Sequence, residues 1–235
     1  MSELQFPPLF QGVPLEGQAD PFDKAIALAV MGTDPGTVAY NLDGGILRAT
    51  LIFTPEVPLE QAMTMLPVCG LGFQAALGAL APPEVAVHLE WDGNIRVNGA
   101  TCGRLRVQAS GTDPSATPDW LVVGLELEFE SQAGNPGENP DRTYLMEEGC
   151  SEITPDQLLE SWVRHTLYWI NRWQEDGPRP VHSDWRGLAQ NLGEEIEIGG
   201  EAGTFVGLDE DFGMLLRTGD TTKLIPLTTL LEGTS

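Results

Sequence analysis

The chain has 235 residues, and 35 Asp and Glu against 12 Lys and Arg leave a net charge of −23. Binding nucleic acid needs clustered cations to meet the phosphates, so this balance excludes it, and anionic membrane surfaces are disfavoured for the same reason. With 41% apolar residues and six tryptophans there is enough to bury a sizeable core, and the excess charge reads mainly as a solubilising surface.

The cysteines are Cys69, Cys102 and Cys150, an odd number without tight spacing. This argues against a disulfide framework and against zinc, so no metal is expected. Reduced thiols fit a cytoplasmic protein. The opening MSELQFPPLF lacks the basic and apolar regions of a signal peptide, and no apolar run reads as long enough to span a membrane.

Residues 1–19 read as an extended lead-in punctuated by Pro and Gly. Asp20 is placed to cap a helix that has Pro21 at its first position and runs to about Met31. A strand over Thr37–Leu42, a tight turn at Asp43-Gly44-Gly45 and a return strand over Ile46–Phe53 form a hairpin. Pro58 opens the next helix and Pro67 breaks or kinks it. The continuation, VCGLGFQAALGAL over 68–80, has no charge and reads as fully buried. Its glycines at 70, 72 and 78 are expected to admit a sheet closely.

Strands follow at Val85–Trp91, Ile95–Val97, Thr101–Ala109 and Trp120–Phe129, the last read as half-exposed because acidic residues alternate at its end. Residues 131–142 form a loop without periodicity. Thr154, Pro155 and Gln157 then give a capping box, and Leu159, Trp162, Val163, Thr166, Ile170 and Trp173 recur at helical spacing up to Gly177. From about Leu192, four short strands separated by Gly/Asp turns suggest an SH3-like β-barrel. The predicted fold class is α+β: a mixed sheet flanked by helices over residues 1–188, then a small barrel domain over 189–235.

This order of elements resembles the biotin protein ligases and the related lipoate ligases and octanoyltransferases, from about residue 20 to 232. The segment VAVHLEWDGNIRVNGATCGRLRVQ stands where that family carries a Lys-Trp-Pro-Asn-Asp motif in its central sheet. The tail GEEIEIGGEAGTFVGLDEDFGMLL is similar to the small C-terminal barrel of the bacterial enzymes. The resemblance implies a class II synthetase-like sheet and a ligand pocket near Asn41, Gly44, Arg48, Glu90, Trp91, Asn94, Cys102 and Gly103. Each position also has a plainer reading. Trp91 is as well placed for a core as for a ligand wall, Asn41 and Gly44 suit an ordinary turn, and Glu90 suits a solvated strand end.

The departures bear on chemistry. Family ligases adenylate an acid with ATP, and that step needs cations around the triphosphate. The family's GRGRxG loop has no counterpart in the five residues from Asn41 to Gly45, and none of those is basic. The motif's lysine falls on Glu90 and a later family lysine on Ala100. Lys24 and Lys223 are the only lysines. Arg104 and Arg106 alternate on one strand face, which suits a solvent face offsetting acidic neighbours; the alternative is that they replace the lost phosphate ligands. No catalytic residue is assigned.

Three readings stay open. One is a catalytically weak or inactive relative that binds an acyl-type ligand or carrier protein. Another is an active ATP-dependent biotin or lipoate ligase with a rebuilt site, for which ATP and magnesium would be the cofactors. The third is a thiol-dependent acyltransferase using Cys150, which precedes the long helix beside Glu147 and Glu148. By resemblance the expected partner is a biotinyl or lipoyl carrier domain, with no nucleic acid and no membrane. The oligomeric state is not specified by the sequence.

Overall fold

Sixteen consecutive residues without a charge make a helix that calls for cover along most of its length, and the fold is organised around supplying it. The computed structural model describes residues 4–131 and 139–232. Most of the loop expected at 131–142 lies outside the described residues.

The chain begins with strand β1 (Gln11–Pro14) and helix α1 (Pro21–Val30). Asp20 caps α1 by accepting from the Phe22 amide. Strands β2 (Thr37–Asn41) and β3 (Ile46–Phe53) form the hairpin. They are joined through a 3-10 turn in which Gly44 takes φ 73°, a conformation that favours glycine. Helices α2 (Leu59–Ala62) and α3 (Met65–Leu80) follow, then β4 (Val87–Leu89), β5 (Asn94–Val97), β6 (Ala100–Ala109) and β7 (Leu121–Glu128). The long helix α4 (Pro155–Asp176) starts from the expected capping box at Thr154 and Gln157. It is followed by α5 (Pro178–Leu188).

The main sheet runs β1-β2-β3-β7-β6-β5-β4. Only β1 is parallel to its neighbour, and every other pairing is antiparallel. One face packs on α3 and α4 through Leu47, Leu51, Val107, Val123 and Leu127. The other face is partly covered by α1, with Phe22, Ala25 and Ala29 against Ala39, Ile52 and Val122.

Several expectations are corrected. The lead-in contains β1, whose pairing of Gln11 with Thr37 places it on the sheet edge. Pro67 lies inside α3. The discontinuity falls four residues earlier, at Met63 and Thr64, because a proline ring crowds the carbonyl of residue i−4. The last turn of α3 is open to solvent, with Leu80 exposed. Gly70 does meet the sheet through Leu89 and Leu105, but Gly72 faces α4, and Gly78 packs against no other element. Strand β7 is buried on both faces from Leu121 to Leu125, since α1 covers the side read as half-exposed. Residues Leu59–Leu80 are long and apolar enough to cross a membrane, contrary to the first reading. They form the two core helices α2 and α3, and 72% of the most apolar stretch is buried within the fold.

Helix α5 was not foreseen. Its signal was Val181, Trp185 and Leu188 at helical spacing behind Pro178, with Val181 and Trp185 buried.

The C-terminal residues form a second, separate sheet of β8 (Glu195–Ile198), β9 (Glu201–Leu208), β10 (Met214–Thr218) and β11 (Thr221–Ile225), in the order β11-β10-β9-β8. It is antiparallel throughout and fits the small barrel expected. It is seated on the main body by Phe212, which is 1% exposed and holds φ 62°. That conformation costs a non-glycine residue roughly 1–3 kcal/mol, so the surrounding contacts must hold it in place. The Phe212 carbonyl accepts from Trp91 Nε1 at 2.7 Å, and His182 Nε2 lies 3.1 Å from the Asp209 carbonyl in the same loop.

The tightest helix contact is at Gly72, where an added Cβ would lie 2.9 Å from Thr166 Cα. Gly72→Ala is therefore expected to lower stability by about 1–3 kcal/mol through overpacking. Urea unfolding would measure it, and an unchanged midpoint would show that α3 and α4 separate freely.

Candidate functional site

Strand pairing fixes a row of polar residues straight across five strands: Asn41, Arg48, Glu126, Arg104 and Asn94. All lie on the sheet face shared with α1, because Ile52 and Val122, at even spacing along β3 and β7, point there into the α1 cluster. Three of them, Asn41, Arg48 and Asn94, were expected at a pocket. Glu126 was missed, although its alternation in the run LELEFE was visible.

The row is electrostatically paired. Arg48 Nε donates to one oxygen of Glu126 at 3.3 Å and Arg104 Nε to the other at 3.2 Å. These side chains keep about a quarter to a half of their surface in water, so each pair is worth at most about 1 kcal/mol. Two guanidiniums share one carboxylate, which leaves the row locally positive in a strongly acidic chain. One row along, Arg106 is held more firmly. It donates Nε and Nη2 to the two oxygens of Glu232, both at 2.7 Å, and Nη1 to Asp20 at 3.0 Å. Its guanidinium also sits 4.1 Å from the Phe22 ring centre. The hydrogen bonds to Glu232, then to Asp20, push Arg106 further above its ordinary pKa.

At one end of the row Asn41 is buried and committed. Its Nδ2 donates to the carbonyls of Gly17 and Ala19, and its Oδ1 accepts from the Asp43 amide at 2.8 Å. It fastens the N-terminal segment to the hairpin. Gly44 supplies the turn below it. At the other end Asn94 Nδ2 donates to Asp92 at 2.9 Å and closes a local turn. Gly103 serves strand packing, since an added Cβ would lie 3.0 Å from Leu127 Cα.

Glu90 continues the row beyond Asn94, whose carbonyl accepts from the Glu90 amide at 2.9 Å, while Trp91 does not join it. Glu90 forms an ion pair with Arg96 Nε, with only 14% and 23% of the two side chains exposed. Trp91 is buried and faces the C-terminal sheet. With Leu66, Trp185, Phe212 and Leu227 it surrounds a cavity of about 20 Å³. That admits about one water molecule, whereas small-molecule sites occupy roughly 300–1,000 Å³.

The three cysteines are buried. Burial pushes all three thiols above their ordinary range, and carboxylates add to this: Glu128 and Glu148 at Cys102, and Glu148 at Cys150. Cys150 lies ahead of the α4 cap, which is Thr154, and its Sγ is 3.9 Å from the Glu148 carbonyl. Lys223 pairs with Glu201 on the C-terminal sheet and Lys24 lies on α1. Neither is recorded as a partner of Cys150 among the described residues. No grouping of three or more metal-ligating side chains occurs among the described residues.

The adenylating ligands of this fold class require cations left over for phosphate. The four arginines of the main sheet, 48, 96, 104 and 106, each meet a carboxylate. No arginine of the main sheet is thus without a carboxylate partner.

A seven-stranded mixed sheet flanked by helices, followed by a small antiparallel sheet, is an architecture shared with biotin protein ligases. The biotin/lipoate A/B protein ligase family matches residues 6–187, and the chain belongs to that family. A domain of unknown function (DUF4444) matches residues 192–233. In sequence, the chain is 23% identical over 200 residues to a biotin--[acetyl-CoA-carboxylase] ligase of Paracoccus denitrificans, covering 83% of each. In structure, it is similar to a biotin protein ligase-like protein of unknown function from Silicibacter sp. TM1040. The TM-score is 0.92 at 57% identity, over 97% of this chain and 99% of the other. It also shares the fold of the Aquifex aeolicus biotin protein ligase, with TM-score 0.75 at 20% identity over 92% and 95% of the two chains.

Two outcomes follow from the geometry. Glu90→Lys would set an ammonium against Arg96 in place of a carboxylate. It is expected to cost about 1–3 kcal/mol of stability, discounted for partial exposure, and to add no affinity for ATP. Thermal unfolding and calorimetry with ATP would test both parts, and nucleotide binding would show that residue 90 faces a phosphate site. The native thiols should resist iodoacetamide at pH 8 and react once unfolded, as read by mass spectrometry. Because burial raises their folded pKa, they contribute stability below the unfolded value of about 8.5, which is lost as the pH rises beyond it.

Proposed function

We propose that this biotin protein ligase-like protein is catalytically weak or inactive, and that it binds an acyl-type ligand or an acylated carrier protein. The observation that carries this reading is the shared carboxylate of Glu126 between Arg48 and Arg104. Adenylation sets a carboxylate beside a triphosphate, and several negative charges then need cations that are not already neutralised. Here each of those cations already meets a carboxylate, and Arg48 and Arg104 share one. A single acyl carboxylate is a much smaller demand. It requires only the net positive charge that two guanidiniums keep after sharing one Glu126.

The relative named for acetyl-CoA carboxylase supports a carrier-type partner in general terms. In this reading residues 1–188 form the ligand-binding domain and residues 189–235 the small barrel domain. The barrel contributes Glu232 to hold Arg106 out of reach of a ligand. No step is assigned to ATP, magnesium or the Cys150 thiol.

Pyrophosphate exchange with biotin, lipoate and octanoate, together with calorimetry using ATP and magnesium, tests this directly. No acid-dependent exchange is expected, and no ATP binding in the micromolar range. Exchange that depends on one of these acids would restore an active ligase. Binding of an acid without exchange, weakened about tenfold by Arg104→Met, would support the non-catalytic reading.

A further inference from the structure

The last residues described return from the C-terminal sheet to the main one. Strand β5 pairs with β6 only as far as Asn94 and Arg104. Beyond that point the edge of β6 is taken by the tail that follows the 3-10 turn Leu227–Leu230. Leu231 pairs with Val107 in parallel, and the Glu232 amide donates to the Val107 carbonyl at 2.9 Å. Leu231 is buried there.

This register sets the Glu232 carboxylate against Arg106. Its two oxygens accept from Nε and Nη2 at 2.7 Å each, the two-point contact by which a guanidinium recognises a carboxylate. The remaining contact of the guanidinium, Nη1 to Asp20 at 3.0 Å, belongs to the fold, because the other Asp20 oxygen caps α1. Glu232 has no such second duty. Its carboxylate has no hydrogen bond except those to Arg106 recorded among the described residues. The Phe22 ring, 4.1 Å from the guanidinium, gives the position an apolar wall. The Glu232 side chain keeps 36% of its surface in water, so the position is open to solvent on one side. The tail thus does at Arg106 what a free acid would do.

We infer that Glu232 is the internal, autoinhibitory occupant of a carboxylate position at Arg106, and that a free carboxylate competes with it for the Nε and Nη2 edge. Arg106 stands two residues from Arg104 on the same face of β6, so the position adjoins the polar row. In the acyl reading, on which this part rests, the competitor is the carboxylate of the acyl ligand. Release requires the tail to give up the Val107 edge and the Leu231 contact, while Asp20 keeps the guanidinium oriented.

Calorimetry with octanoate and thermal unfolding in acetate, both on the full chain, are the test. Glu232→Ala is expected to bind octanoate about tenfold or more tightly than the parent, because no internal occupant then keeps the position filled. Adding Arg106→Met should abolish that gain. Acetate should raise the melting temperature of Glu232→Ala and leave that of the parent unchanged. Glu232→Gln keeps the shape of the side chain and loses only its charge. It serves if the alanine variant unfolds, with a smaller gain in the same direction. Glu195→Gln, exposed on β8, removes one charge elsewhere and should bind as the parent does. An equal gain in that control, or a gain that survives Arg106→Met, would overturn the inference. Octanoate binding that is the same in the parent and in Glu232→Ala would also overturn it, and would leave the acyl reading standing. A response to acetate confined to Glu232→Ala, with octanoate bound by neither protein, would support the carboxylate position and overturn the acyl reading instead. No response of Glu232→Ala to either acid would overturn the inference.

Discussion

The cover of helix α3 is the constraint from which the rest of the structure follows. An uncharged helix gains from apolar partners around it, and the main sheet and α4 supply them from Met65 to Leu77. Gly70 lets sheet side chains approach and Gly72 lets the α4 backbone approach, so the helix is held from two directions at close range. Once one sheet face is spent in this way, polar groups have the other face to occupy. The row from Asn41 to Asn94 is the result, with α1 covering only its neighbouring end.

On that face the electrostatics are those of matched pairs. Arg106 is locked between Asp20 and Glu232, and Arg48 and Arg104 divide Glu126. Such pairing holds the N-terminal helix, the sheet and the C-terminal residues in one arrangement.

Much of the architecture could be read from residue patterns. The hairpin, the capped helix α4 and the change of texture near Leu192 each had strong local signals: paired glycines, Thr154 with Gln157, and closely set turns. Local pattern failed where tertiary cover decided the outcome. Strand β7 looked half-exposed because nothing in its own sequence announces α1 above it. Helix α5 was hidden by its two prolines and its low apolar content. At the site, Glu90 was legible as a charge reversal, but its partner Arg96 lies diagonally across the β4–β5 hairpin, and that register was not read from the sequence. The links from Trp91 to Phe212 and from Arg106 to Glu232 span more than a hundred residues, and no window along the chain contains both ends.

Phe212 carries a consequence for how such chains diversify. Its ring enters the main body in a backbone conformation that other contacts must enforce, and its carbonyl is claimed by Trp91. A C-terminal sheet exchanged from a distant relative would arrive with a different wedge and meet a socket shaped by Leu66, Trp91 and Trp185. The two parts are therefore expected to change together, as lock and key cut from one blank, and recombination at the junction near residue 190 would succeed only when the socket travels with the sheet.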